Sequence, residues 1–83
     1  MFELIVAKNA RAQLRKIPFS YRRLIVISLR ELKEDLSLGE PLSRELTGYF
    51  KLRIGFYRAI YLVNNKDETI TVINIDHRAK VYN

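Results

Sequence analysis

The stretch from Tyr49 to Val63, YFKLRIGFYRAIYLV, leaves this chain few folds to choose from. Lys51 and Arg53 alternate with Phe50, Leu52 and Ile54, the period of two that marks a half-buried strand. Tyr57 to Val63 is rich in aromatic and branched residues, as strands are. Gly55-Phe56 between them reads as a two-residue loop, with glycine at the first central position, where a type II′ turn requires positive φ. That loop sets the register. Arg53 falls opposite Arg58 and Lys51 opposite Ile60. Tyr49, Lys51, Arg53 and Arg58 then share one face, and Phe50, Leu52, Ile54, Tyr57, Ala59 and Tyr61 share the other.

Two arginines directly opposite one another in a ladder repel. No carboxylate occurs between Glu45 and Asp67 to answer them locally. Either a distant acid does so, or both heads splay into water, or an outside anion lies between them. The last is the functional reading: a phosphate-binding face.

The flanking sequence says what this hairpin packs against. Phe2 to Val6 is a short apolar strand. Ala10, Leu14 and Ile17 form one stripe of a short helix from Lys8 to Ile17, with Lys8, Arg11 and Arg15 on a solvated side. Pro18 breaks that helix and suits the first turn of the next, with Ser20 as a candidate N-cap. Tyr21, Leu24, Ile25, Leu29, Leu32 and Leu36 keep a helical period from Tyr21 to Leu36. Ser37 to Pro41 reads as a loop, with Gly39 near a helix C-cap. Asn64 to Asp67 is a turn, and Thr69 to Asp76 a last strand with Thr71, Ile73 and Ile75 on one face. The order strand–helix–helix–strand–strand–strand predicts a single α+β domain over residues 1–83. It has an antiparallel sheet of about four strands, with an N-terminal helical hairpin packed on one face.

Composition narrows the function. The 83 residues carry 15 Lys and Arg against 9 Asp and Glu, a formal charge of +6, which favours an anionic partner such as nucleic acid or an acidic protein. There is no cysteine, so neither disulfides nor thiolate chemistry enter. No long apolar run or signal peptide is evident, which makes the expected location cytoplasmic with no membrane partner. A single His and scattered acids make no metal site, and no cofactor motif is present.

Lys51, Arg53, Arg58, Arg78 and Lys80 all lie on or beside the last three strands, with His77 and Tyr82 nearby in sequence. This is an inventory for phosphodiester cleavage of RNA. Attack by a 2′-hydroxyl needs a proton acceptor, stabilisation of the phosphate charge and a donor for the leaving 5′-oxygen. Arginine suits the phosphate because its guanidinium stays charged and matches two oxygens at once. Each residue also has a plainer reading: His77 as a surface or capping residue, Tyr82 as an anchor for the tail, Tyr57 and Tyr61 as core.

LRIGFYRAIYLV, then a strand, then DHRAKVY, resembles the RelE/ParE superfamily of toxins from toxin–antitoxin pairs, and the likeness extends over nearly the whole chain. The resemblance implies a type II toxin of RelE-like kind. Such a toxin is an endoribonuclease that cuts mRNA in the ribosomal A site, partnered by a cognate antitoxin, the ribosome and mRNA. It implies Lys51, Arg58, His77, Arg78 and Tyr82 as the catalytic set, with His77 and Tyr82 for proton transfer. Arg53, Lys80 and Tyr49 are then RNA-binding; Tyr49 stands where the most basic relatives carry a second Lys. ParE-like members share the fold but inhibit DNA gyrase, and generally lack this basic and proton-transfer set. That non-enzymatic activity and a non-toxic interaction module are the alternatives.

Overall fold

The computed structural model describes residues 1–42 and 48–77; 43–47 and 78–83 lie outside it. The elements run β1 (Glu3–Val6), α1 (Lys8–Arg15), α2 (Phe19–Glu34), a 3-10 turn (Leu36–Leu38), β2 (Glu40–Pro41), β3 (Tyr49–Ile54), β4 (Tyr57–Asn64) and β5 (Thr69–His77). The five strands form one mixed sheet in the order β1-β5-β4-β3-β2.

The helices form where the apolar stripes require. α1 buries Ala10 and leads to buried Ile17, while α2 buries Ile25, Leu29 and Leu32, spaced four and three apart. Pro18 is the N-cap of α2 and its carbonyl accepts from Arg22 N at 2.9 Å, so Ser20 lies inside the helix rather than capping it. The Arg22 guanidinium donates back to the Ile17 carbonyl at 3.2 and 3.4 Å, fixing the corner between the helices. Both helices cover the inner face of the sheet. There Leu52, Ile54, Ala59, Tyr61, Ile70, Val72 and Ile75 complete a single core, with Tyr61 only 1% exposed.

Three features differ from the expectation. Among the described residues the sheet has five strands, because Glu40 and Pro41 pair with Lys51 and Phe50. The chain can run that close only because position 39 is glycine. A Cβ there would overlap the Tyr61 hydroxyl and lie 2.8 Å from its Cζ and 3.2 Å from the Lys51 carbonyl. Gly39 has φ −92°, so close approach, not a left-handed cap, explains it. Next, β1 runs parallel to β5, with Glu3 to Val6 aligned on Thr69 to Val72.

The third difference is a bulge in β5. Ala59 pairs with Ile75 and Tyr61 with Val72, so Ile73 and Asn74 together oppose Ile60. The extra residue shifts the phase. Ile75 points into the core while Thr71, paired with Leu62, does not, so Thr71, Ile73 and Ile75 do not share a face. Beyond Val72 strand β1 has ended, and α1 takes over that edge of β5. Gln13 Oε1 accepts from Ile75 N at 2.7 Å, Gln13 Nε2 donates to Asn74 Oδ1 at 3.4 Å, and Asn9 Nδ2 donates to the Ile73 carbonyl at 3.2 Å. Two amide side chains thus do for β5 what a neighbouring strand would do.

Candidate nucleic-acid interface

The Gly55-Phe56 turn has Gly55 at φ +60°, and the β3–β4 register is the one its sequence predicts: Arg53 opposite Arg58, Lys51 opposite Ile60, Tyr49 opposite Leu62. These side chains occupy the sheet face away from the helices. Arg53 is exposed, and Tyr49, Lys51 and Arg58 are half-buried among their neighbours. Three cations therefore stand on one pleated surface, held by a ladder rather than by loops.

That surface is not free of carboxylates, contrary to what the local sequence implies. In register, Asp76 of β5 stands opposite Arg58, and Glu40 of β2 stands opposite Lys51. The row across the strands at the hairpin end reads Arg53–Arg58–Asp76, and the next row in from it reads Glu40–Lys51–Ile60–Asn74. The distant acid that two facing arginines call for is thus Asp76, whose Oδ1 also accepts from His77 N at 2.8 Å. An anion arriving at Arg58 meets a guanidinium already flanked by one like and one unlike charge. Sequence reading missed both acids. Extending the hairpin register across to the next strand would have found Asp76; a two-residue strand such as β2 leaves no periodic signal.

His77 lies elsewhere. It pairs with Tyr57, one residue out of phase with Arg58, and so faces the helical side of the sheet. Its ring stacks on Phe56 at 6.1 Å and 9°, and meets Tyr57 edge-on at 5.3 Å and 78°. Tyr57 in turn contacts Tyr21 of α2 at 5.6 Å. Lys51, Arg53, Arg58 and Tyr49 are thus brought together, and His77 sits at the same end of the sheet on its opposite face. Arg78, Lys80 and Tyr82 fall outside the described residues. Among the described residues, no cluster of three His, Cys, Asp or Glu side chains forms that would hold a metal ion, and no helix is long and apolar enough to cross a membrane.

Two helices on one face of a five-stranded mixed sheet, among the described residues, are the fold of the RelE/ParE superfamily of toxins. Residues 4–82 match the family described as ParE toxin of type II toxin–antitoxin system, parDE, and the chain belongs to it. It is similar to Toxin RelG of Mycobacterium tuberculosis, with 37% identity over 76 residues that cover 89% of this chain and 87% of the relative. Among solved structures it is similar to a chain of the RelBE2 toxin–antitoxin complex from Mycobacterium tuberculosis. There the TM-score is 0.83 and the identity 33%, covering 93% of this chain and 98% of the other. The isolated E. coli RelE toxin has the same fold at 22% identity, with a TM-score of 0.80, covering 99% of this chain and 92% of that one.

Proposed function

We propose that this toxin is a RelE-like, metal-independent endoribonuclease that cleaves mRNA in the ribosomal A site and so stops translation in the cytoplasm. The observation that carries this reading is the pairing of Arg53 with Arg58 on the outer face, one row from Lys51. Like charges facing each other destabilise a ladder; Asp76 beside Arg58 relieves part of that repulsion, and a bound phosphate would bridge both guanidinium groups. Lys51 and Arg53 position the RNA backbone, with Tyr49 and Lys80 beside it. Arg58 stabilises the charge that develops on the scissile phosphate, and Arg78 helps to hold it. Tyr82 and His77 are the candidates for proton transfer. Since His77 packs on the opposite face from Arg58, Tyr82 is the stronger of the two. A cognate antitoxin is the expected partner, because several structural neighbours are described as complexes of RelE with RelB. The outer side of α2 offers such a partner an open groove of about 350 Å³. Phe19, Val26 and Ile27 supply its apolar surface, and Arg22, Arg23 and Arg30 its charge.

The family is described as that of the ParE toxin, and inhibition of DNA gyrase, which the resemblance implies for ParE-like members, is the second reading. Pulse labelling after induction separates them: methionine incorporation falls first if mRNA is cut, thymidine incorporation first if gyrase is the target. Single-turnover cleavage of ribosome-bound mRNA then tests the assignment. Arg58→Ala is expected to lose roughly 10²–10³ in rate, and Tyr82→Phe roughly 10²–10⁴ if its hydroxyl moves the proton. Full cleavage by Arg58→Ala refutes the site.

A further inference from the structure

Phe56 is out of place as a turn residue. The second position of a two-residue hairpin loop ordinarily takes a small polar residue. Here it holds a phenyl ring that is 66% exposed, gaining little from burial. That ring does not project alone. It lies nearly parallel to the His77 imidazole, which abuts Tyr57, which abuts Tyr21, so four rings run in a ladder from the hairpin tip to the start of α2. Beneath the ladder, between the end of α1 and the ends of β4 and β5, lies a cleft of about 410 Å³, a volume within the range of small-ligand sites. Ile17 and Ile75 supply its apolar surface, Gln13, Tyr57 and His77 line it, and Lys16 and Asp76 bring one charge of each sign. An open aromatic face above an apolar floor suits a stacked base, and Lys16 is the cation there for its phosphate, with Asp76 on the β5 side available to a base N–H.

We propose that this ladder and cleft form a nucleobase subsite for single-stranded RNA, with a base stacked on Phe56 and His77 and the adjoining phosphate met by Lys16. The proposal rests on the reading that the chain engages RNA, and adds where one base goes. Arg58 and Tyr57 are neighbours on β4 pointing to opposite faces, and so are Asp76 and His77 on β5. An RNA strand whose phosphate sits at Arg58 therefore has only to cross the hairpin tip for its next base to reach Phe56. The basic face grips backbone and is indifferent to sequence; the aromatic end contacts a base and can discriminate.

The test uses the full chain and a short, fluorescently labelled 2′-O-methyl oligoribonucleotide, which lacks the attacking hydroxyl and stays intact. Phe56→Ala is expected to bind roughly ten- to a hundredfold more weakly, while Phe56→Trp keeps or improves affinity. Lys16→Ala is expected to lower the slope of log affinity against log salt by about one. A scan of abasic positions through the oligonucleotide should find one at which Phe56→Ala costs nothing further, because the ring has no base left to stack on. Wild-type affinity in Phe56→Ala, or losses that add at every abasic position, would overturn the subsite. Translation in a cell extract is read separately. Arrest by wild type and by Phe56→Ala at equal potency removes the subsite and leaves the ribonuclease reading standing. Oligonucleotide binding with the Phe56 signature but no arrest removes the ribonuclease reading and leaves the subsite.

Discussion

Replacing Gly39 with alanine should be among the more damaging single-methyl changes available in this protein, although it adds no charge and requires no unusual backbone angle. The new Cβ would overlap the Tyr61 hydroxyl and stand 2.8 Å from Cζ. Carbon atoms in contact settle at about 3.5–4.0 Å, so relieving Cζ alone takes roughly an ångström, and the overlapping hydroxyl takes more. The ring cannot easily yield: Tyr61 is buried, and stacks on Phe50 at 5.7 Å and 18°. β2 is the softer side, being two residues long and, among the described residues, at the edge of the sheet beside β3. Overpacking of this kind costs about 1–3 kcal/mol. At about 4–8 °C per kcal/mol for a domain of this size, a mid-range cost lowers Tm by roughly 8–16 °C. The control is Tyr61→Phe, which removes the overlapping oxygen. Gly39→Ala in that background should cost less than in wild type, with a coupling of roughly 1 kcal/mol in a double-mutant cycle read by urea unfolding. Strictly additive costs, or a Gly39→Ala protein that melts with the parent, would refute the reasoning that this glycine exists to let β2 pass over Tyr61.

Three further outcomes are expected. Asp76→Asn removes the acid opposite Arg58 and should tighten RNA binding roughly two- to fivefold, with a steeper salt dependence; weaker binding would count against it. Gln13→Leu leaves the Ile75 N–H without its acceptor, and should cost about 1–3 kcal/mol with faster hydrogen exchange at that amide. Burial pushes the Tyr61 phenol above its usual value of 10. The folded state therefore holds its proton where the unfolded chain has lost it, so the stabilisation is complete below pH 10 and is lost as pH rises from there through the raised folded-state value. An alkaline melt series on wild type and Tyr61→Phe should show a shallower decline in the variant.

The hairpin was legible because a two-residue loop with glycine first admits one register, and that register alone placed Arg53 opposite Arg58. The helices were legible because Ile25, Leu29 and Leu32 keep a helical period. What sequence did not disclose has specific causes. A bulge adds one residue to β5 without any residue type that announces it, so alternation read through Ile73 gives the wrong face. The parallel pairing of β1 with β5 joins segments at opposite ends of the chain, which no local pattern encodes. Asp76 and His77 are adjacent in sequence and fall on opposite faces, so nearness along the chain grouped His77 with the arginines when pairing separates them.

That parallel pairing also sets the order in which the molecule can assemble. The β3–β4 hairpin needs only its own turn and is free to form early, whereas β1, among the described residues, has β5 as its one neighbouring strand. During synthesis β1, made before the other described strands, must wait for β5 before its edge is satisfied. Contacts of such wide sequence separation slow folding, because the ends of a long loop must meet before any gain is realised. The arginine hairpin is therefore the local part of the sheet, and the β1–β5 pairing the part that waits on the rest of the chain.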